Sequence, residues 1–256
     1  MKLYAVACNV LSRECYRAAA NSPHVVTLSI QPFGLHSEPD ELRKTLQAEI
    51  DRAEGYDYIL LAYGLCSRGT ADLIARETPI VIPRSHDCIA LLLGSHQRYQ
   101  DEFSRHPGTY YYSSGWVEHC EGEVIQGAIE IVKHRQYEER FKEYVEKYGE
   151  DNAKFLLEQE TQWLVNYNRA VFLNHGLGDV DYYRRFTQKI ASEHGWSYEE
   201  LPGDTRLIDR LFAGNWDSPP QPAPTGRGSI GDSEFLIVRP GQRTQESVTS
   251  GIISAV

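Results

Sequence analysis

The chain has 256 residues, with 26 Lys and Arg against 36 Asp and Glu, a formal net charge of −10 at pH 7. Neutralising phosphates takes a surplus of cations, so this balance argues against nucleic acid and anionic membranes as partners. A 41% hydrophobic and 24% charged composition is that of a folded chain with a real core, which excludes general disorder.

The length suits one large domain or two half-sized lobes. The five cysteines, Cys8, Cys15, Cys66, Cys88 and Cys120, are odd in number, no secretory leader precedes them, and they lack disulfide-like crowding. A reducing, cytoplasmic setting is expected, with thiols free for metals or chemistry. No apolar run approaches the roughly 18–20 residues of a membrane span, so a soluble protein is expected.

In chain order, Leu3–Cys8 reads as a strand and Arg13–Ala20 as a helix, broken at Asn21-Ser22-Pro23. Val25–Ile30 is a second strand. Ser37, Glu38 and Asp40 suit a helix N-terminus, and Leu42, Leu46 and Ile50 then recur at four-residue spacing up to Gly55. Tyr58–Tyr63 is a third strand, Ala71–Arg76 a short helix, and Pro79–Ile82 a fourth strand. Near-continuous apolar strands alternating with helices predict a parallel sheet covered on both faces, Rossmann-like or flavodoxin-like, in strand order 2-1-3-4.

From Glu121 to about Arg169 charges are dense, Gly and Pro nearly vanish, and Ile125, Ile129 and Val132 keep helical spacing. One or two long helices are expected there, joining an N-terminal α/β metal-binding lobe (1–120) to a smaller C-terminal α/β lobe (170–256). That second lobe reads as a strand at Ala170–Leu173, a helix at Tyr183–His194, a strand at Trp196–Leu201, a helix at Thr205–Phe212 and a strand at Glu234–Val238. The Pro- and Gly-rich stretch 217–232 reads as a flexible loop, and Gln242–Val256 as a loosely held tail.

Ligands of open α/β sheets bind beyond the carboxyl ends of the strands. Cys8 closes the first strand, Cys66 follows the third and Cys88 the fourth, so the order 2-1-3-4 places three thiols on one sheet edge. Strands are about 4.8 Å apart, and modest loop curvature lets three sulfurs converge. Thiolates prefer soft or borderline metals, so the trio points to an iron–sulfur cluster with one open iron, or to zinc with an open fourth position. The competing reading is three small buried residues, the usual state of free Cys. Arg84, His86 and Asp87 precede Cys88 and combine an anion holder, an imidazole and a carboxylate. They are candidates for acid–base work, with His86 alternatively a fourth ligand. Glu14, just after the Cys8 loop, is a fourth catalytic candidate, or serves the helix dipole. Tyr63, Arg68, Arg13, Tyr110, Trp116 and His175 are candidates to bind a small anionic substrate.

Several segments together resemble one family: Ala7-Cys8 with Arg13-Glu14, Leu60–Cys66, Ile82–Ile89, Leu93-Gly94-Ser95, Pro107–Tyr111 and Gly115-Trp116. Gly214–Asp217 and Val238–Gly241 extend the likeness. The chain is similar to the proteins catalogued as domain of unknown function 1638. The resemblance implies an anaerobic one-carbon or cofactor-handling context beside corrinoid-dependent methyltransferases, and supplies no reaction. Where that family has Gly-Asn after the second cysteine, this chain has Ser67-Arg68. Three readings follow: a four-iron four-sulfur metalloenzyme; a zinc-thiolate methyltransferase or corrinoid-linked methyltransferase accessory; and a non-catalytic metal or corrinoid carrier.

Overall fold

The computed structural model describes residues 1–32, 34–119, 141–142, 144–150, 152–153, 167–216, 234–247 and 252–256. The first half holds β1 (Lys2–Cys8), α1 (Ser12–Asn21), β2 (Val25–Gln31), α2 (Pro39–Arg52), β3 (Tyr58–Ala62) and β4 (Ile80–Pro83). It continues with α3 (Cys88–Leu92), α4 (His96–Arg105), β5 (Thr109–Tyr112) and α5 (Ser114–His119). The second half holds β6 (Arg169–Asn174), α6 (Val180–His194), β7 (Ser197–Pro202), α7 (Arg206–Phe212), β8 (Phe235–Val238), β9 (Thr244–Ser247) and β10 (Ile252–Ala255).

Local chemistry sets the helix ends. In α2, Pro39 opens the helix, Asp40 and Glu41 lie in its first turn, and Leu42, Leu46 and Ile50 are buried. The Ser95 hydroxyl caps α4 by accepting from the Arg98 N–H at 3.3 Å. The Asp179 carboxylate caps α6, and Gly195, at φ +67°, ends it.

The protein is a mixed α/β fold. Its five-stranded sheet runs β2-β1-β3-β4-β8, with the first four strands parallel and β8 antiparallel to β4. The predicted order 2-1-3-4 is therefore present, carrying an added edge strand. Leu3, Ala5, Ala7, Leu60 and Ala62 face α1 and α7, while Tyr4, Val6, Ile59 and Leu61 face α2. A second sheet, β5-β6-β7, is all parallel and buries Tyr112, Phe172 and Leu173 in the same core as the first face. Burying each such side chain contributes about 1.5–3 kcal/mol.

Four expectations change. The sheets do not follow the lobe boundaries 1–120 and 170–256: β5 pairs with β6 in the second sheet, and β8 returns to the first. Ala71–Arg76 is not a helix; Ala71, Leu73 and Ala75 are buried between exposed neighbours, Asp72 has φ +62°, and Ile74 bridges Arg243. The C-terminal stretch is not a loose tail, because β9 and β10 form an antiparallel hairpin whose Thr244 and Ile253 are fully buried. Three helices, α3, α4 and α5, fill segments for which no helix was expected. The expected helices of 121–169 and loop of 217–232 lie largely outside the described residues, as does Cys120. Among the described residues, no helix is long and apolar enough to cross a membrane.

Candidate functional site

The loops that leave β3 and β4 run side by side. The Leu65 N–H donates to the Ser85 carbonyl at 2.8 Å, and the Cys66 N–H to the His86 carbonyl at 2.9 Å, prolonging the strand pairing past the sheet. Gly64 makes this possible. A Cβ at that position would stand 2.6 Å from the Asp87 nitrogen and 2.7 Å from its Cα, so only glycine lets the two backbones approach. The chain then turns through Cys66, Ser67 and Arg68 at φ +45°, +54° and +72°, three successive non-glycine residues in the left-handed region. Each costs about 1–2 kcal/mol. The turn is closed by the Gly69 N–H on the Cys66 carbonyl at 2.9 Å and tied down from outside. Arg68 pairs with Glu246 of β9 at 2.9 Å, and the Thr244 hydroxyl donates to the Thr70 carbonyl at 2.6 Å.

Cys8, Cys66 and Cys88 are partly buried free thiols. Burial pushes all three up, Cys66 to about 12 and Cys88 well above its ordinary value. Their charges act on one another: that of Cys8 opposes ionisation of Cys66, and those of Cys66 and Cys8 oppose that of Cys88. Asp87 opposes both as well. Only backbone N–H groups, of Val10 at Cys8 and of Gly64 at Cys66, favour these two thiolates. Tyr63 stands among these sulfurs, 3% exposed, with its hydroxyl lacking a hydrogen-bond partner. Burial, then the charges of Cys8 and Cys66, push that hydroxyl far up. The arrangement is therefore a desolvated set of soft donors whose strongest neighbouring charges are negative. A cation, supplied from outside the chain, is what would convert it to thiolates. Among the described residues, no three His, Cys, Asp or Glu side chains stand in a grouping fit for a single metal ion.

The other expected residues divide. Asp87 lies beside the thiols and caps α3, accepting from the Ile89 N–H and from the Tyr99 hydroxyl, each at 2.9 Å. His86 is exposed, its ring 5.6 Å from that of His96. Arg84 turns away and donates to the Ile253 carbonyl of β10 at 2.5 Å. Arg68 is spent on Glu246. Arg13 binds the Glu118 carboxylate of α5, which also accepts from Tyr183. Tyr110 and Trp116 pack edge-on at 5.8 Å in the aromatic core over the second sheet. Glu14 and His175 meet each other, 3.3 Å apart and buried, at the seam between the sheets.

Sequence reasoning passed over His36, His96, Tyr99 and Ser85. His36 follows β2 and feels the Asp87 charge, although burial pulls its imidazole down. His96 is also pulled down by burial, and its buried Nδ1 has no hydrogen-bond partner. Ser85 is 1% exposed with an unpartnered hydroxyl. The strand-end rule that selected the cysteines reaches His36 and Ser85 too, had it been applied to every residue type.

An α/β protein with ligand-type side chains gathered at the carboxyl edge of a parallel sheet is the class these observations define. The chain belongs to the family described as protein of unknown function (DUF1638), whose family model matches residues 30–212. Cys66 and Cys88 lie inside that span and Cys8 before it. No curated protein and no solved structure matches the chain.

Proposed function

We propose that this protein is a metalloprotein in which Cys8, Cys66 and Cys88 hold an iron–sulfur cluster, of the four-iron four-sulfur type with one iron free of protein thiolate. The observation that carries the reading is the donor set: three desolvated thiols from three adjacent strand ends, under negative charges only, around an unpartnered buried Tyr63 hydroxyl. Such a cluster supplies a Lewis-acid position for a small anionic substrate. The chain's own residues do the rest. Tyr63 has one O–H to donate to whatever occupies the centre of the trio. Asp87 fixes the start of α3 and thereby Cys88. The left-handed turn projects Cys66 while β9 holds it closed.

Zinc is the second metal that takes thiolate ligands, and it would need the three thiols to draw closer than they stand; bound there it would activate a thiol for group transfer, and a corrinoid protein or methyltransferase is then the partner we infer. Protein isolated without oxygen separates the readings. Brown protein with acid-labile sulfide and a visible absorption that dithionite bleaches supports the cluster. Colourless protein carrying one zinc per chain overturns the cluster in favour of zinc, and protein free of both after reconstitution overturns the metal reading.

A further inference from the structure

Away from the thiols, Glu14 and His175 form a buried pair, with side chains 0% and 1% exposed. His175 Nε2 lies 2.8 Å from the Leu92 carbonyl oxygen, which can only accept, so Nε2 carries a proton. The ring is seated over Gly203, where a Cβ would come within 2.2 Å of Nε2. Its Nδ1 stands 3.3 Å from Glu14 Oε1 and, like Glu14 Oε2, is buried without a hydrogen-bond partner in this structure. A bare Nδ1 against a carboxylate would set two acceptors together out of water, an unfavourable arrangement because neither lone pair is compensated. Two arrangements avoid this: an imidazolium against a carboxylate, or a neutral ring accepting from a protonated carboxyl. Both contain the same single extra proton. Glu14 Oε2 is buried without a hydrogen-bond partner, which favours the neutral carboxyl, while the Ser114 hydroxyl reaches Oε1 at 3.4 Å.

We propose that Glu14 and His175 hold one proton between them and act as positioning residues, fastening the second sheet to the segments that follow Cys8 and Cys88. Glu14 lies on α1, which follows Cys8. Leu92 ends α3, which begins at Cys88. Ser114 opens α5 after β5, and His175 follows β6. Each segment is thus tied to this one pair, whether or not the thiols hold metal. Burial raises the Glu14 carboxyl, in keeping with a retained proton. The other groups near the pair are engaged or apolar in effect. On α1, Arg17 pairs with Asp209 and Cys15 is fully buried; Arg13 is bound to Glu118 of α5; beyond Leu92, Asp204 pairs with Arg206.

Above about pH 6.5 an unfolded chain carries neither proton, because a free Glu and a free His are both deprotonated there. Folding then takes up one proton, and stability falls as pH rises. The unfolding constant of the full-length protein, measured by urea titration, should rise about tenfold per pH unit more steeply than that of Glu14→Gln between about pH 7 and 8. The difference between the two proteins cancels the contributions of other histidines and thiols. Coincident slopes overturn the proposal. Should Glu14→Gln fail to fold, nitrogen NMR of labelled histidine in the unmodified protein reads the same geometry. An Nδ1 of His175 that is protonated or accepts a proton from Glu14 through this window is expected, and a bare Nδ1 overturns the inference.

Discussion

Replacing Gly64 by Ala probes the contact on which the thiol cluster depends. The new methyl carbon would lie 2.6, 2.7 and 2.9 Å from the nitrogen, Cα and carbonyl carbon of Asp87. Restoring van der Waals separation of about 3.5 Å takes a retreat of about 0.9 Å between the two loops. The hydrogen bonds Leu65–Ser85 and Cys66–His86, at 2.8 and 2.9 Å, then stretch past their useful range. Each contributes about 0.5–1.5 kcal/mol net, so the variant should lose about 1–3 kcal/mol. In a chain of this size that lowers Tm by about 2–10 °C. Because Asp87 caps α3, the same retreat carries Cys88 away from Cys66, and metal uptake should fall with Tm. Differential scanning calorimetry and metal analysis read the two effects. A Gly64→Ala protein with unchanged Tm and full metal content would refute the apposition of the loops.

Ser67→Gly relieves a left-handed residue costing about 1–2 kcal/mol and adds about 0.5–1 kcal/mol of chain entropy. A small net rise in Tm is expected, and a fall shows that the turn at φ +54° carries no strain. Tyr63→Phe removes a buried hydroxyl without a partner, so metal-free protein should gain up to about 1 kcal/mol while metal-loaded protein loses metal more readily. A destabilised metal-free variant contradicts the idea that the hydroxyl awaits a ligand. The empty thiols are pushed up by burial, Cys66 to about 12, so they are protonated at neutral pH. The thiols should therefore release close to three protons per centre on metal loading, in addition to those of hydrosulfide when a cluster is assembled, measurable by calorimetry in buffers of different ionisation heat. Release of one or none removes the trio as ligands.

Much of the first sheet could be read from residue order. The apolar runs of β1, β3 and β4 are short and joined by brief connections, and they took the order 2-1-3-4 as expected. Ala71–Arg76 misled because its composition is helical while its burial alternates with period two, the mark of extended chain. The hairpin escaped notice because β9, Thr244-Gln-Glu-Ser247, is polar and gains its place from Thr244 reaching Thr70 and Leu73 across the fold. Such contacts, separated by more than 170 positions, leave no local trace. The placement of Cys8, Cys66 and Cys88 at the ends of neighbouring strands was visible because the strand-end rule is topological. The Glu14–His175 pair was visible only as two separate residues, since nothing in the spacing of positions 14 and 175 says that β6 delivers one to the other. Tyr110 and Trp116 were drawn toward the site by composition, but Tyr110 on β5 and Trp116 on the helix α5 that follows it pack together in the aromatic core.

The central claim is that three particular thiols among the cysteines act together. Metal and sulfide content after anaerobic reconstitution should be measured for Cys8→Ala, Cys66→Ala, Cys88→Ala and Cys15→Ala side by side. Cys15 is fully buried in the core and is the internal control. The account predicts that each of the first three abolishes binding while Cys15→Ala retains it. Retention of a full centre after loss of any one of Cys8, Cys66 or Cys88, or equal loss in all four variants, would contradict it.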